Sequence, residues 1–334
     1  MKKKILFTFD YELFLGAKSG SVLKCLIEPT EKVINVLNTY SFLGIFFVDT
    51  TYLTRLKSQN EKRAQEDFLL VKNQILSLVS QGHYVFPHIH PHWLDATYQK
   101  ETNSWTLEST SKYRFEALST EERELIFRSS IETLKEITNQ CNPDYKIDSF
   151  RAGGWCIQPF ADFRPFFSRF NIQNEFSVLT GQSYNSKAQQ FDFRKIEFPE
   201  IYRFSNNVTL KDAKGEFTEF PISTMRISTT HIFLNRLWLK YLWKTGDRSI
   251  GDGQGVRAEE GATIGRSDLE MISIELLNRF KLFAYLSYTD NHEYIQFISH
   301  PKMLSPHNIS IFKKYLKAVN KRYKVETDFK KLMN

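Results

Sequence analysis

The sequence predicts an α/β protein built on a largely parallel sheet. Short apolar runs alternate with amphipathic helical stretches through most of the chain, and the polar residues able to do chemistry fall just after those runs. With 334 residues, 41% of them hydrophobic, the chain can bury a large core without disulfides or structural metal. No Pro/Gly/Ser-rich linker, low-complexity tract or fixed-period repeat divides it. One domain over residues 1–334 is therefore expected.

The elements follow in order. "KILFTF" is a short apolar run ahead of a polar turn, which suits a buried strand. "PTEKVINVL" carries helical spacing after a proline start, and "LGIFFV" reads as a second buried strand. "EDFLLVKNQILSLVSQG" is amphipathic and closes on Gly82, and "HYVF" gives a third strand. In "STEERELIFRSSIETLKEI", Ser119 and Glu122 stand at capping-box spacing and start a helix. Strands ending in "DSFR" and covering "EFSVL" come next. "EYIQFIS" is the last strand, before a helix that Ser305 can cap and Pro306 can open. Residues 184–262 break this rhythm and read as a loop-rich insertion facing substrate, with "GDGQG" as a flexible loop lacking the lysine pattern of a phosphate cradle.

Composition narrows the function classes. The formal net charge is +7, but the bases are dispersed, with small groups at Lys2 to Lys4, at Lys321, Arg322 and Lys324, and at Lys330 and Lys331. No arginine-rich stripe or helix-turn-helix pattern points to nucleic acid. Asp10 and Glu12 interrupt the apolar run after the first lysines before it reaches signal-peptide length, and no stretch approaches the ~18 apolar residues of a transmembrane segment. Cys25, Cys141 and Cys156 are odd in number and widely spaced, which argues against a disulfide framework or a cysteine zinc site. A cytoplasmic protein is expected.

Chemistry concentrates in "GHYVFPHIHPHWLD", which holds four of the eight histidines. On an extended chain His88 and His92 would stand roughly 13 Å apart. Two nitrogens on one tetrahedral zinc lie only about 3.4 Å apart. Pro87 and Pro91 argue for a bend that brings His88 and His92 together as metal ligands while His90 points elsewhere; His83 and His90 read as structural. A catalytic site of this kind needs an acidic ligand and an open position. Asp10 and Glu12 project to one side of the first strand, so one carboxylate can bind metal and the other can take a proton from water. Asp10, His88, Arg151 and His300 each fall at the carboxyl end of an expected strand, the edge where parallel α/β proteins assemble active sites.

"TFDYE", "FFV", "GHYVFPHIHPH", "FRAGGW" and "ISHPK" occur in the order of the motifs of polysaccharide deacetylases with the NodB-homology fold. The chain resembles that family, which is similar to carbohydrate esterase family 4, over most of its length. The resemblance implies a distorted (β/α)7-type barrel with a parallel strand core, and metal-dependent removal of an N-acetyl group from a sugar. By the same resemblance Asp10 is the catalytic base, Arg151 holds it and His300 is the general acid. His88 and His92 bind a divalent metal, zinc before others, and Trp155 lines the substrate groove with Tyr11 as a further substrate contact. The chain departs from the family's pattern in three places. Tyr11 replaces the second, metal-binding aspartate, leaving Glu12 or Asp10 as the acidic ligand. Ala152 and Gly153 follow Arg151 in place of proline. The Asp–Trp motif that tunes the acid is missing, with Glu219, Asp247 and Asp252 as candidate replacements. The expected substrate is an N-acetylated sugar or oligosaccharide, a precursor of cell-surface polysaccharide or lipopolysaccharide. A metal-independent amide hydrolase and a non-catalytic carbohydrate-binding protein are the alternatives.

Overall fold

The computed structural model describes residues 2–16, 18–227, 233–234, 237, 240–241, 248–255 and 261–332. Its main sheet has nine strands: β1 (Lys2–Tyr11), β2 (Gly44–Asp49), β3 (Tyr84–Ile89), β4 (Ser149–Ala152), β5 (Asn174–Glu175), β6 (Tyr202–Phe204), β7 (Phe217–Glu219), β8 (Tyr294–Ser299) and β9 (Lys324–Glu326). They run in the order β6-β7-β5-β4-β3-β2-β1-β8, with β9 paired to the start of β1. All neighbours are parallel except β6, which runs antiparallel to β7. Parallel strands are covered on both faces, and β1, β2 and β8 accordingly read as near-continuous apolar runs that are buried almost throughout.

The sheet curls toward closure. Ile222 donates its N–H to Val178 and accepts from Thr180, and Ser223 donates to Gln296 of β8, so this irregular segment bridges the two ends. The result is the distorted barrel that the sequence predicts. Two of its strands, β6 and β7, come from within residues 184–262. Among the described residues, a separate three-stranded sheet joins Ser183–Asn185 and Gln190–Asp192 to Thr263–Ile264, just beyond that stretch.

Seven helices are bounded among the described residues: α1 (Glu28–Asn38), α2 (Thr50–Lys57), α3 (Lys62–Ser80), α4 (Thr120–Thr138), α5 (Arg164–Phe170), α6 (Leu282–Asn291) and α7 (Pro306–Arg322). Both expected helix starts are present. Ser119 accepts from the backbone N–H of Glu122 while the Glu122 carboxylate takes the Ser119 N–H, and Ser305 and Asn308 form the equivalent box at α7. The sequence did not reveal α2, α5 or α6. α2 starts directly where β2 ends, with Asp49 serving as both the last strand residue and the helix cap. Phenylalanines dominate the packing: Phe9 stacks on Phe46 at 4.8 Å, and Phe176 stacks on Phe220 at 4.6 Å across the sheet interior. The three cysteines are free.

Replacing Ser119 with alanine removes the acceptor for one orphan N–H at the start of α4. It is expected to lower stability by about 1 kcal/mol in a denaturant melt without changing the slope of the transition.

Candidate metal centre and active-site cleft

Parallel pairing places four strand ends in register. Asp49 lies opposite His88, and His88 opposite Arg151. Phe9 pairs with Ser299, which puts Asp10 beside His300 at the next step. Asp10, His88, Arg151 and His300 therefore meet at one carboxyl edge, as the sequence predicts.

Arg151 is fully buried and holds the site from below. One terminal nitrogen donates to Asp10 Oδ1 and the other to Thr8 Oγ1 at 2.8 Å, while Nε donates to the Phe176 carbonyl at 2.9 Å. The guanidinium also lies 4.2 Å from the centre of the Phe47 ring. Burial pushes the Asp10 pKa upward, but the charges of Arg151, His88 and His300 outweigh it and hold the group below the usual carboxylate range. Asp10 Oδ2 is left facing His88 Nε2 and His300 Nε2, each at 3.7 Å.

The histidine pair differs from the one the spacing suggests. β3 stays extended through Ile89, His90 continues that conformation, and the chain turns only at Pro91. Residues two apart on an extended chain share a face. His88 Nε2 and His90 Nε2 accordingly lie 3.0 Å apart, and Glu12 Oε2 stands 3.3 Å from the first and 2.6 Å from the second. Ligand atoms of Glu12, His88 and His90 all fall within 4.8 Å of one another. His92 is not in this group. It is buried, stacks on Tyr113 at 5.7 Å, and neither of its ring nitrogens has a hydrogen-bond partner among the described residues. Burial, aided by the charge of His90, depresses its pKa well below the ordinary value and keeps it neutral. His83 is structural as expected, its Nδ1 accepting from the Gly44 N–H.

The donor set suits a divalent cation. His88 Nδ1 lies 2.9 Å from the Arg151 carbonyl oxygen, which can only accept, so Nδ1 carries a proton and Nε2 presents its other position to Glu12 and His90. Burial lowers the proton affinity of His88, but Asp10 and Glu12 reverse this and raise its pKa. The same negative charge that attracts a proton there attracts a metal, so binding must displace that proton. Glu12 faces a rival: Lys302 Nζ donates to Oε1 at 2.9 Å and to the Leu13 carbonyl at 2.6 Å. Burial disfavours the Glu12 charge, yet Lys302 and His90 hold its pKa well below the usual carboxylate range.

His300 is oriented by Glu275, which accepts from its backbone N–H at 2.6 Å and lies 3.0 Å from Nδ1. Burial opposes the charged imidazolium, but Glu275 and then Asp10 and Glu12 raise its pKa to about 9. Among the described residues Glu275 is the carboxylate hydrogen-bonded to His300, a position for which the sequence offers Glu219, Asp247 and Asp252 as candidates. Glu219 is buried against Glu175, and burial together with that neighbour pushes its pKa well up. Asp252 accepts from Ser21 and Cys25, and Asp247 lies outside the described residues.

A cleft of about 610 Å³ opens above these groups, lined by Glu12, Tyr113, Tyr184, Glu275, His300 and Lys302 among others. Neither aromatic expected at the substrate lines it. Tyr11 alternates with Asp10 and Glu12 on β1, so its ring points into the core and its hydroxyl donates to Gln74 on α3 at 2.8 Å. Trp155, in a left-handed conformation at φ 59°, packs edge-on to Phe191 at 5.8 Å. Another buried acid escaped sequence reading: Asp49 accepts from Tyr52 N and Trp93 Nε1, and burial raises its pKa to about 6.

Two outcomes test this geometry. Metal content of purified His90→Ala is expected to fall by an order of magnitude or more, and His92→Ala is expected to retain metal, as read by elemental analysis. In Glu275→Gln the His300 pKa, followed by NMR titration of the metal-free chain, is expected to drop from its raised position because the largest favourable charge is gone.

No family model matches the chain, and no curated protein matches it. Among solved structures it is similar to a Mycobacterium smegmatis protein assigned as a polysaccharide deacetylase, at 12% identity over 98% of this chain and 88% of that one, with a TM-score of 0.49. It is similar to Puue allantoinase at 8% identity over 98% of this chain and 88% of that one, with a TM-score of 0.48. It is also similar to a 4-alpha-glucanotransferase from Thermococcus litoralis at 13% identity, over 99% of this chain but 38% of that one, with a TM-score of 0.47. Likeness at this level concerns backbone arrangement alone, and the chemistry of this chain is read from its own side chains.

Proposed function

We propose that this chain is a hydrolase that removes the acetyl group from an N-acetylated sugar or oligosaccharide. One observation carries the proposal: a carboxylate fixed by a buried arginine, an imidazole fixed by a carboxylate and a three-residue group able to hold a metal meet at one strand edge, where Glu12, Glu275 and His300 line a cleft. Amide hydrolysis needs an activated water, stabilisation of an oxyanion and a proton for the leaving nitrogen, and this arrangement has a residue for each.

A divalent cation held by Glu12, His88 and His90, zinc in the first instance, would supply Lewis-acid polarisation of the acetyl carbonyl and an acidified water. Asp10, with one oxygen tied to Arg151 and the other facing His88 and His300, accepts the proton of the attacking water. Lys302 brings a second positive charge to the rim where the oxyanion develops. His300, protonated at neutral pH with Glu275 fixed on Nδ1, donates from Nε2 to the departing amine. Water adds to the carbonyl carbon, the C–N bond breaks, and acetate and a free amino sugar leave. The cleft volume lies within the range of small-ligand sites. We place the substrate among precursors of cell-surface polysaccharide or lipopolysaccharide, handled in the cytoplasm. Among the described residues no helix is long and apolar enough to cross a membrane.

The Glu12–Lys302 ion pair favours a second reading, a metal-independent amide hydrolase in which Lys302 supplies the positive charge. Acetate release from a panel of N-acetylated sugars separates the two. The proposal expects release that stops after chelation and returns with zinc, and a loss in kcat of about 10²–10⁴ in His300→Ala. Release that persists in chelator supports the metal-free reading, and sugar binding without any release overturns both.

A further inference from the structure

A second cavity, larger than the catalytic cleft, adjoins it. Its volume is about 720 Å³, within the ~300–1,000 Å³ of ligand sites. The separate three-stranded sheet lines it through Tyr184, Asn185, Gln190 and Ile264. The turn between the first two strands of that sheet lines the catalytic cleft instead, through Ser186, Ala188 and Gln189. Tyr184 borders both cavities, so one hairpin forms a wall of each. Gln189 Nε2 donates to the Gly154 carbonyl at 2.8 Å, which ties the turn to the segment that leaves β4.

The lining chemistry selects the ligand. Two acids and two bases line the larger cavity and answer one another, Arg114 meeting Glu116 at 2.6 Å and Arg194 meeting Asp192 at 2.6 Å. Charges paired in this way leave no net field of one sign to attract a phosphate or an ammonium group. Amides and apolar surface remain. Asn185 and Asn206 are exposed there, and among the described residues their side chains make no hydrogen bond. A primary amide both donates and accepts, as a sugar hydroxyl does. Tyr184 is braced by Phe191, with ring centres 6.3 Å apart, and Ile264 leaves 61% of its surface in water. A pyranose ring carries the matching surfaces, hydroxyls around its edge and C–H groups on its faces. We propose that this cavity binds neutral sugar units attached to the one held in the catalytic cleft, an inference that rests on the hydrolase reading above. The substrate is then an oligosaccharide whose consecutive units occupy the two cavities. Binding energy from the outer units acts on the bond broken in the cleft and raises kcat/KM for longer substrates.

The test compares N-acetylglucosamine with its β-1,4-linked dimer, trimer and tetramer, by acetate release for kcat/KM and by calorimetry for binding. From the single sugar to the tetramer, kcat/KM is expected to rise about tenfold or more. Asn185→Ala/Asn206→Ala is expected to remove most of that rise, and Asn206→Trp, which fills the cavity, to remove all of it. Both positions are exposed, and circular dichroism checks that the variants keep their fold. Equal kcat/KM across the series overturns the inference, as does a preference for the tetramer that both variants retain. If none of these sugars releases acetate, the proposed reaction fails for them by itself and calorimetry decides the cavity's role. Tetramer affinity that Asn206→Trp abolishes then upholds a sugar site. Absence of tetramer binding, or binding that Asn206→Trp leaves intact, overturns it.

Discussion

A guanidinium with no access to water underlies the site. Arg151 reaches from β4 beneath β3, β2 and β1, and its charge is met by Asp10, by Thr8 and by the Phe176 carbonyl, with the Phe47 ring against its face. Removing one partner from such a buried pair typically costs about 3–5 kcal/mol, because the other charge is left stranded. That constraint ties the register of four strands to the orientation of one carboxylate. It acts on the metal group as well: the backbone carbonyl of the same arginine receives His88 Nδ1 and so decides which ring nitrogen of His88 faces Glu12. A strand slip of one residue would turn every one of these groups to the opposite face.

Above that anchor the site is a chain of compensated charges. Asp10 answers Arg151, Glu275 answers His300, and Glu12 is divided between Lys302 and two imidazoles. The last of these is the most divided arrangement, because one carboxylate pairs with Lys302 and also faces the two imidazoles with which it could hold a metal. In the proposed metal site, how Glu12 divides itself would set the affinity for a divalent ion. A stronger grip by Lys302 weakens the site for a divalent ion, and release of Lys302 toward a developing oxyanion would free both oxygens. Burial makes the balance sharp, since in a poorly solvated pocket neither charge can be offset by water.

Much of this was legible because strand ends are local features. "KILFTFD", "HYVFPH", "DSFR" and "EYIQFISH" each show an apolar run stopping at a reactive residue, and parallel topology then brings those residues together. The helix caps at Ser119 and Ser305 were legible for the same reason, since a capping box spans only four residues. His90 was misplaced by trusting the prolines. Pro87 lies inside β3 without bending it, and the turn begins only at Pro91, so the alternation of an extended chain, not the four-residue spacing, chose the pair. The same alternation that sends Asp10 and Glu12 to the site sends Tyr11 to the core, a consequence available from the sequence. Glu275 left no comparable signal. It stands twenty-five residues before His300 in an irregular segment, and only the closing of the barrel brings the two side chains together.

Anomalous diffraction from crystals soaked in zinc tests the central claim most directly. The account places the zinc peak within bonding distance of Glu12, His88 and His90, with Arg151 still on Asp10 and Glu12 drawn from Lys302. A peak that engages His92 in place of His90, or no peak at this edge of the sheet while Lys302 keeps Glu12, would contradict it.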